Sequence, residues 1–520
     1  MKKILFLFAA LTSVWQLHAE SYTWSAPTTI STPGIDSTVP LVVIDSGGNA
    51  TAAWIEGTTL QSSSLPFAGS WGAPTSLSGA GATSPSIDVD SGGNVTAVWL
   101  EGGVVTTANL PFGGSWSVST SISLSGASDP ALDVDATGNA VAVWVRGGQI
   151  ESAQQPFGGG WSAVTILSGA SSDNPAVALG GSGTIVAAWH SVIAGQDEVL
   201  SAVGSIGGAW GSPLTVNAAM DSSNYPAVAV DGNGNAVALF FSYAQSGNSF
   251  FRVFPLVASL TSGGTQWSIP LVLDDESFRN PADLMSLVAF DSDGNAFALW
   301  TSSYNGSLFN IVAAKRPLGL EWTNHSALVL LNLYAFQGAF SLSPSGDLSS
   351  LCMAFDGLGD LSIFSSDADA SSPYAPYWSA PMVASVGSEN GYPSIATTVI
   401  SGVANAVGVW IFNDGSNNVV VASVGTRNVV IPPSGTGIVQ SSTNMGVLTE
   451  YFNTVSWSAS SDPNLLGYYI YRNGIYWDQV GAGTLSVIDH NAVQSGAVTY
   501  GVAAFNTTLK QSDTITASFP

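Results

Sequence analysis

The sequence predicts an all-β protein: four-stranded sheets stacked radially, then a small β-sandwich. Three observations predict it. A motif recurs every 45 residues through the early part of the chain. Each recurrence reads as short strands and tight turns. Residues are 46% hydrophobic but only 9% charged, against roughly 25% charged in an average protein.

The chain has 520 residues, too many for one ordinary domain. Lys2 and Lys3 precede an apolar run from Ile4 to Val14, and Leu17-His18-Ala19 ends in a small residue. Residues 1–19 therefore read as a signal peptide, which predicts a secreted protein, extracellular or periplasmic. The run is shorter than the roughly 20 residues that a membrane span needs. No later segment is long and apolar enough, so no transmembrane segment is expected after cleavage. Without the two lysines, eight basic residues face 35 acidic ones, a formal charge of −27. That charge disfavours nucleic acid as a partner, which needs clustered Lys and Arg. The 17 Trp and 22 Phe argue against disorder. Cys352 is the only cysteine, so no internal disulfide is possible.

The motif is clearest in Pro40–Trp54, Pro85–Trp99 and Pro130–Trp144. Its shared form is Pro-x-apolar-x-apolar-Asp-x-x-Gly-Asn-x-x-Ala-x-Trp. It recurs at Pro175–Trp189 and Pro226–Phe240, with weaker copies later. The last column reads Trp54, Trp99, Trp144, Trp189, Phe240, Trp300, Cys352 and Trp410, spaced 45, 45, 45, 51, 60, 52 and 58 residues apart. A second column falls between: Trp24, Trp71, Trp116, Trp161, Trp210, Trp267, Trp322 and Trp378.

Each repeat supplies four strands. The first is the alternating run before the Asp. Asp-x-x-Gly-Asn makes a tight turn, since Gly and Asn tolerate positive φ. The second strand is apolar at nearly every position, as in Ala140–Trp144, so both of its faces are buried. The third is short, as in Gln149–Ala153. The fourth starts at the second Trp column, as in Trp161–Leu167. Radial stacking of such sheets is a β-propeller. The chain begins with a lone fourth strand, Trp24–Ile30, and its eighth repeat lacks one. The first strand can complete the last sheet, which gives eight blades over residues 20–427 and hides the sheet edges. The repeats resemble those of bacterial secreted β-propellers with Asp-x-x-Gly-Asn-Ala-x-Ala-x-Trp motifs. That resemblance implies the fold alone.

Residues 428–520 break the pattern. Val455-Ser456-Trp457, Gly467–Arg472 and Tyr500–Asn506 resemble the second, third and sixth strands of a fibronectin type III domain, an immunoglobulin-like sandwich. The resemblance implies that Trp457 is the core tryptophan and Tyr500 the corner tyrosine. Asn473-Gly474 reads as a hairpin turn.

Motifs for chemistry are scarce. No zinc helix, nucleophile elbow or phosphate loop is present. After cleavage the histidines are His190, His325 and His490, and His190 is expected at a strand end. A sialidase-like site needs converging arginines, and nothing in the spacing of Arg146, Arg252, Arg279, Arg316 and Arg427 supplies one. Asp274-Asp275-Glu276 could serve glycoside chemistry, but reads better as a solvated acidic loop. No cofactor is expected. Calcium is the one open metal, because Asp291-Ser292-Asp293-Gly294-Asn295 resembles part of a calcium loop. Those positions also match the repeat's turn, which is the preferred reading. The Trp columns and Cys352 read as core.

Function is therefore sought in loops on a rigid scaffold. Fourth-to-first and second-to-third connections share one face. The longer excursions lie there: Val192–Glu198, Asp274–Asp283 and Ser388–Tyr392. Just before the motif's Pro stand Asp129, Asn174, Tyr225 and Tyr392, the candidate ligand-binding residues. The expectation is a binding or adhesion protein for a protein or carbohydrate ligand. The alternative is a secreted polysaccharide-active enzyme, a glycosidase or lyase.

Overall fold

The computed structural model describes residues 22–217, 223–246, 250–274, 286–304, 308–323, 326–328, 335–343, 348–355, 361–369, 377–378, 382–386, 391–400, 403–428, 433–444, 449–462, 465–473, 475–492, 498–506, 512 and 515–519. The expected signal peptide lies outside them, as do His325, Asp275, Glu276, Arg279 and the side chain of Arg252. Every described element is a β-strand. Among the described residues, no helix is long and apolar enough to cross a membrane.

Between Thr23 and Asn428 the described strands form eight antiparallel sheets of four or five strands, as in propeller blades. The third sheet is typical, running Ala127–Val134, Ala140–Arg146, Gln149–Gln155 and Thr165–Ile166 in chain order. In the eighth, Thr23–Trp24 and Thr28–Thr29 pair with Asn418–Asn428, so the start of the chain fills the fourth-strand place. First strands of neighbouring sheets lie side by side, and the eighth returns to the first. Apolar clusters follow the same closed circuit. Trp99 of the second sheet packs with Ala53 and Leu60 of the first, and Trp54 of the first packs with Val409 and Ile411 of the eighth.

The second strand is buried as its composition requires. Ala140 to Trp144 are all 0% exposed. The last-column residues from Trp54 to Trp410, Phe240 and Cys352 included, are likewise fully buried. Burial pushes the Cys352 thiol up to about 12, leaving it an inert core group. The buried indoles need acceptors. Trp54 donates to Glu56, Trp99 to Glu101 and Trp144 to Glu151.

The turn motif has a specific function in the repeats that keep its Asp and Asn. In the first, the Asn49 backbone N–H and side-chain amide both donate to Asp45, and Asn49 Oδ1 accepts the Phe67 N–H at 2.9 Å. The motif thus ties the first hairpin to the turn between third and fourth strands. Asp90/Asn94/Phe112 and Asp135/Asn139/Phe157 repeat it. The Gly is required twice over at Gly93: its φ is +83°, and a Cβ there would meet Asp45 Oδ2 at 2.5 Å.

Two expectations need correction. The fourth strand shrinks to a two-residue ladder, Thr165–Ile166 rather than Trp161–Leu167, because it is an outer edge with one partner. The second Trp column is mostly half-buried rather than core. Three of its indoles reach across sheets instead: Trp116 to Ser62, Trp267 to Ser201 and Trp24 to Ser365.

The C-terminal residues form two more sheets. One orders Ser434–Asn444, Thr449–Ser458 and Ser486–Ala492; the other orders Ile475–Gly481, Leu465–Arg472, Val498–Asn506 and Ile515–Phe519. They share one core of Val455, Trp457, Tyr468, Ile470, Tyr500 and Val502. Tyr500 is fully buried and donates to Asp489. Asn473 takes φ +52° between paired Arg472 and Ile475, while Gly474 lies outside the described residues.

Candidate functional site

The first and last letters of the motif meet in space. In the third sheet the register shifts between Ser128 and Ala131, so Asp129 and Pro130 together oppose Trp144. The same two-against-one bulge sets Val39-Pro40 against Trp54, Ser84-Pro85 against Trp99 and Asn174-Pro175 against Trp189. It also sets Tyr225-Pro226 against Phe240 and Tyr392-Pro393 against Trp410. Proline suits the bulge because it has no N–H to leave unpaired there. The residue before it takes φ between +48° and +53° in all six cases. That conformation costs a non-Gly residue energy and is held only by a surrounding structure that over-determines it.

All four candidate residues, Asp129, Asn174, Tyr225 and Tyr392, therefore occupy one structural position on different sheets. The first strands form a closed circuit, so these positions form a rim at one end of it. Side-chain exposure fits display: Tyr225 is 36% and Tyr392 57% exposed. Asn174 Nδ2 donates to Asn224 Oδ1, next to the Tyr225 position, at 3.0 Å across the fourth and fifth sheets. The hairpins rising beside the rim are longest in the later sheets. Strand two runs seven residues in the third sheet, ten in the fourth (Thr184–Ile193) and eleven in the fifth (Ala236–Ser246).

Beside the rim lies a group that the sequence reading passed over. His190 Nδ1 is 2.7 Å from Asp173 Oδ1, and its Nε2 is 3.1 Å from Asp197 Oδ1. The imidazole side chain is 7% exposed and the carboxylates 54% and 46%. Each ring nitrogen faces a carboxylate, so neither is open to a substrate. The group fixes the long hairpin tip against the rim. His190 is a mid-strand residue rather than the expected strand end.

A second titratable pair sits lower on the first strands. Asp88 accepts the Val134 N–H at 2.8 Å, and Asp133 accepts the Leu179 N–H at 2.6 Å, stapling the second, third and fourth sheets. The two carboxyls are also hydrogen-bonded to each other. Burial pushes Asp88 up to about 6. Burial, then the Asp88 charge, holds Asp133 well above the usual carboxylate range. Glycosidase carboxyls stand roughly 5 Å or more apart; this pair is in direct contact and serves the backbone.

The remaining expected groups are distributed. Arg146 pairs with Glu151, Arg316 lies over Trp322 and Arg427 over Tyr22, on three separate sheets. Asp274 is buried at 4% rather than solvated, because its carboxylate takes the Trp300 indole N–H. Asp291 holds Asn295 as Asp45 holds Asn49. His490 is exposed and contacts Glu450. Among the described residues, no three His, Cys, Asp or Glu side chains gather as a metal group.

No family model matches the chain, and no curated protein is similar to it. Similar solved structures include the BP39L lectin from Burkholderia pseudomallei, 14% identical, covering 67% of this chain and 99% of the lectin, at a TM-score of 0.46. A PL25 ulvan lyase bound to -[GlcA(1-4)Rha3S]- is 10% identical, covering 78% of this chain and 98% of the lyase, at 0.47. A protein of unknown function from Dyadobacter fermentans is 13% identical, covering 76% and 100%, at 0.37.

Proposed function

We propose that the chain is a secreted glycan-binding protein whose ligand site is the rim of bulges. In this reading residues 20–427 form an eight-bladed propeller and 428–520 a fibronectin type III-like domain. The closed circuit of eight sheets supports the first assignment. The three- and four-stranded orders around Trp457 support the second. The signal-like residues 1–19 support export to the extracellular or periplasmic space.

One observation carries the binding reading. At the rim the backbone is fixed while the residue identity varies. Six positions share one strained φ, yet they present Val39, Ser84, Asp129, Asn174, Tyr225 and Tyr392. A scaffold that constrains backbone and varies display is how loops on rigid folds recognise ligands. Carboxylate and amide groups suit sugar hydroxyls, and tyrosine offers a ring with a polar tip. A protein partner would need a contiguous surface of roughly 800 Å² per side, whereas the rim alternates in chemistry from sheet to sheet. The closed contacts of His190 and of Asp88 with Asp133 favour binding without turnover. No cation is required.

A glycan array probed with the mature protein, with calcium and with chelator, tests this, alongside an assay for cleavage of the same glycans. Selective retention that survives chelation, with no product, is the expected result. Product release, or retention of nothing, overturns the reading.

A further inference from the structure

The opposite end of the sheets carries a second feature. There the turn between third and fourth strands places one side chain over the motif's Gly. The Cδ2 edges of Phe67, Phe112 and Phe157 lie where a Cβ on Gly48, Gly93 or Gly138 would fall, at 2.6, 2.7 and 2.5 Å. In the next sheets the same place is taken by Ile206, Ser262 and Leu318. Backbone anchoring is shared: Ser262 N–H reaches Asn235 as Phe67 N–H reaches Asn49. Serine therefore satisfies the turn. Three consecutive phenylalanines, exposed at 50%, 60% and 64%, exceed what the turn requires.

We infer that Phe67, Phe112 and Phe157 form a multivalent docking arc for a neutral polysaccharide, distinct from the rim. The rings recur once per sheet, which suits a ligand that repeats. Between them lie Ser46, Ser91 and Thr137, tied across sheets by the Ser46 and Ser91 hydroxyls, and the Asp45 and Asp90 carboxylates beside Phe112 and Phe157 are buried. An apolar protein segment would need continuous apolar surface; separated rings in polar surroundings match the alternating apolar and hydroxyl faces of a sugar chain. Charge excludes an anionic polymer. From Thr23 to Ile166 the only basic residue is Arg146, which is paired with Glu151.

Affinity electrophoresis of the full mature protein through gels of β-1,3-glucan, glucomannan and galactomannan tests the arc, with polygalacturonate as the anionic control. Retardation in at least one neutral gel is expected. Phe67→Ser, Phe112→Ser and Phe157→Ser should each weaken it about 3- to 10-fold, and the triple variant should abolish it, as loss of avidity requires. Melting temperature should be unchanged, on the precedent of Ser262. Retardation lost in Tyr225→Ala with Tyr392→Ala but kept in the triple Phe variant would assign it to the rim and overturn the arc, so the arc and the rim stand or fall separately. No retardation in any neutral gel, retardation by polygalacturonate alone, or an unaffected triple variant overturns the proposal.

Discussion

Asp88 and Asp133 show how one half-buried contact sets a property of the whole chain. Both bind their protons more tightly when folded, Asp88 at about 6 against an ordinary 3.8. Stability from such a carboxyl is complete at low pH and is lost as pH rises through 3.8 towards the folded value. Asp88→Asn keeps an acceptor for the Val134 N–H and removes the titration. Its melting temperature should exceed wild type by at least about 2 °C at pH 7 and converge on it near pH 4. Parallel curves across that range would show that the pair does not titrate. The pair was partly legible: Asp88 and Asp133 are acidic at a position where other repeats carry Val43, Ala178 and Ala229. Their contact was not, because it crosses between sheets.

Turns and bulges govern the elements. Gly93→Ala meets both positive φ and the Asp45 carboxylate, whereas Gly102, at φ +60°, has open space around its missing Cβ. Gly102→Ala should cost only the left-handed penalty, about 1–2 kcal/mol, and Gly93→Ala at least twice that in urea unfolding. Equal costs would mean that the turn network yields freely. The repeats, turns and buried Trp column were readable because period, Gly-Asn and apolar runs are local signals. The site was readable only in part. Asp129, Asn174, Tyr225 and Tyr392 stood out by their place before Pro, but the bulge itself left no mark. That bulge moves the register by one residue, so His190 faces Asp173 rather than Asn174. Pairing counted from the regular ladder would have missed the contact, and Asp197 joins it only through the lengthened hairpin.

At the scale of the molecule, the start of the chain closes the circuit. Tyr22 and Trp24 pack in one cluster with Trp410, and Ile30 packs in the next with Trp54. Deleting residues 20–30 exposes the Asn418–Asn428 edge and opens both clusters. The shortened protein should self-associate, as unpaired edges do, and light scattering should find larger species than for the chain that keeps residues 20–30. A monomeric, equally stable variant would deny the closure its role. In the proposed reading the circuit matters because it brings six bulges from distant repeats into one rim. The most direct measurement of that claim compares wild type with the Tyr225→Ala/Tyr392→Ala variant on a glycan retained by the array. The rim account predicts retention lost at least tenfold with an unchanged melting temperature. Undiminished retention by the variant would contradict it.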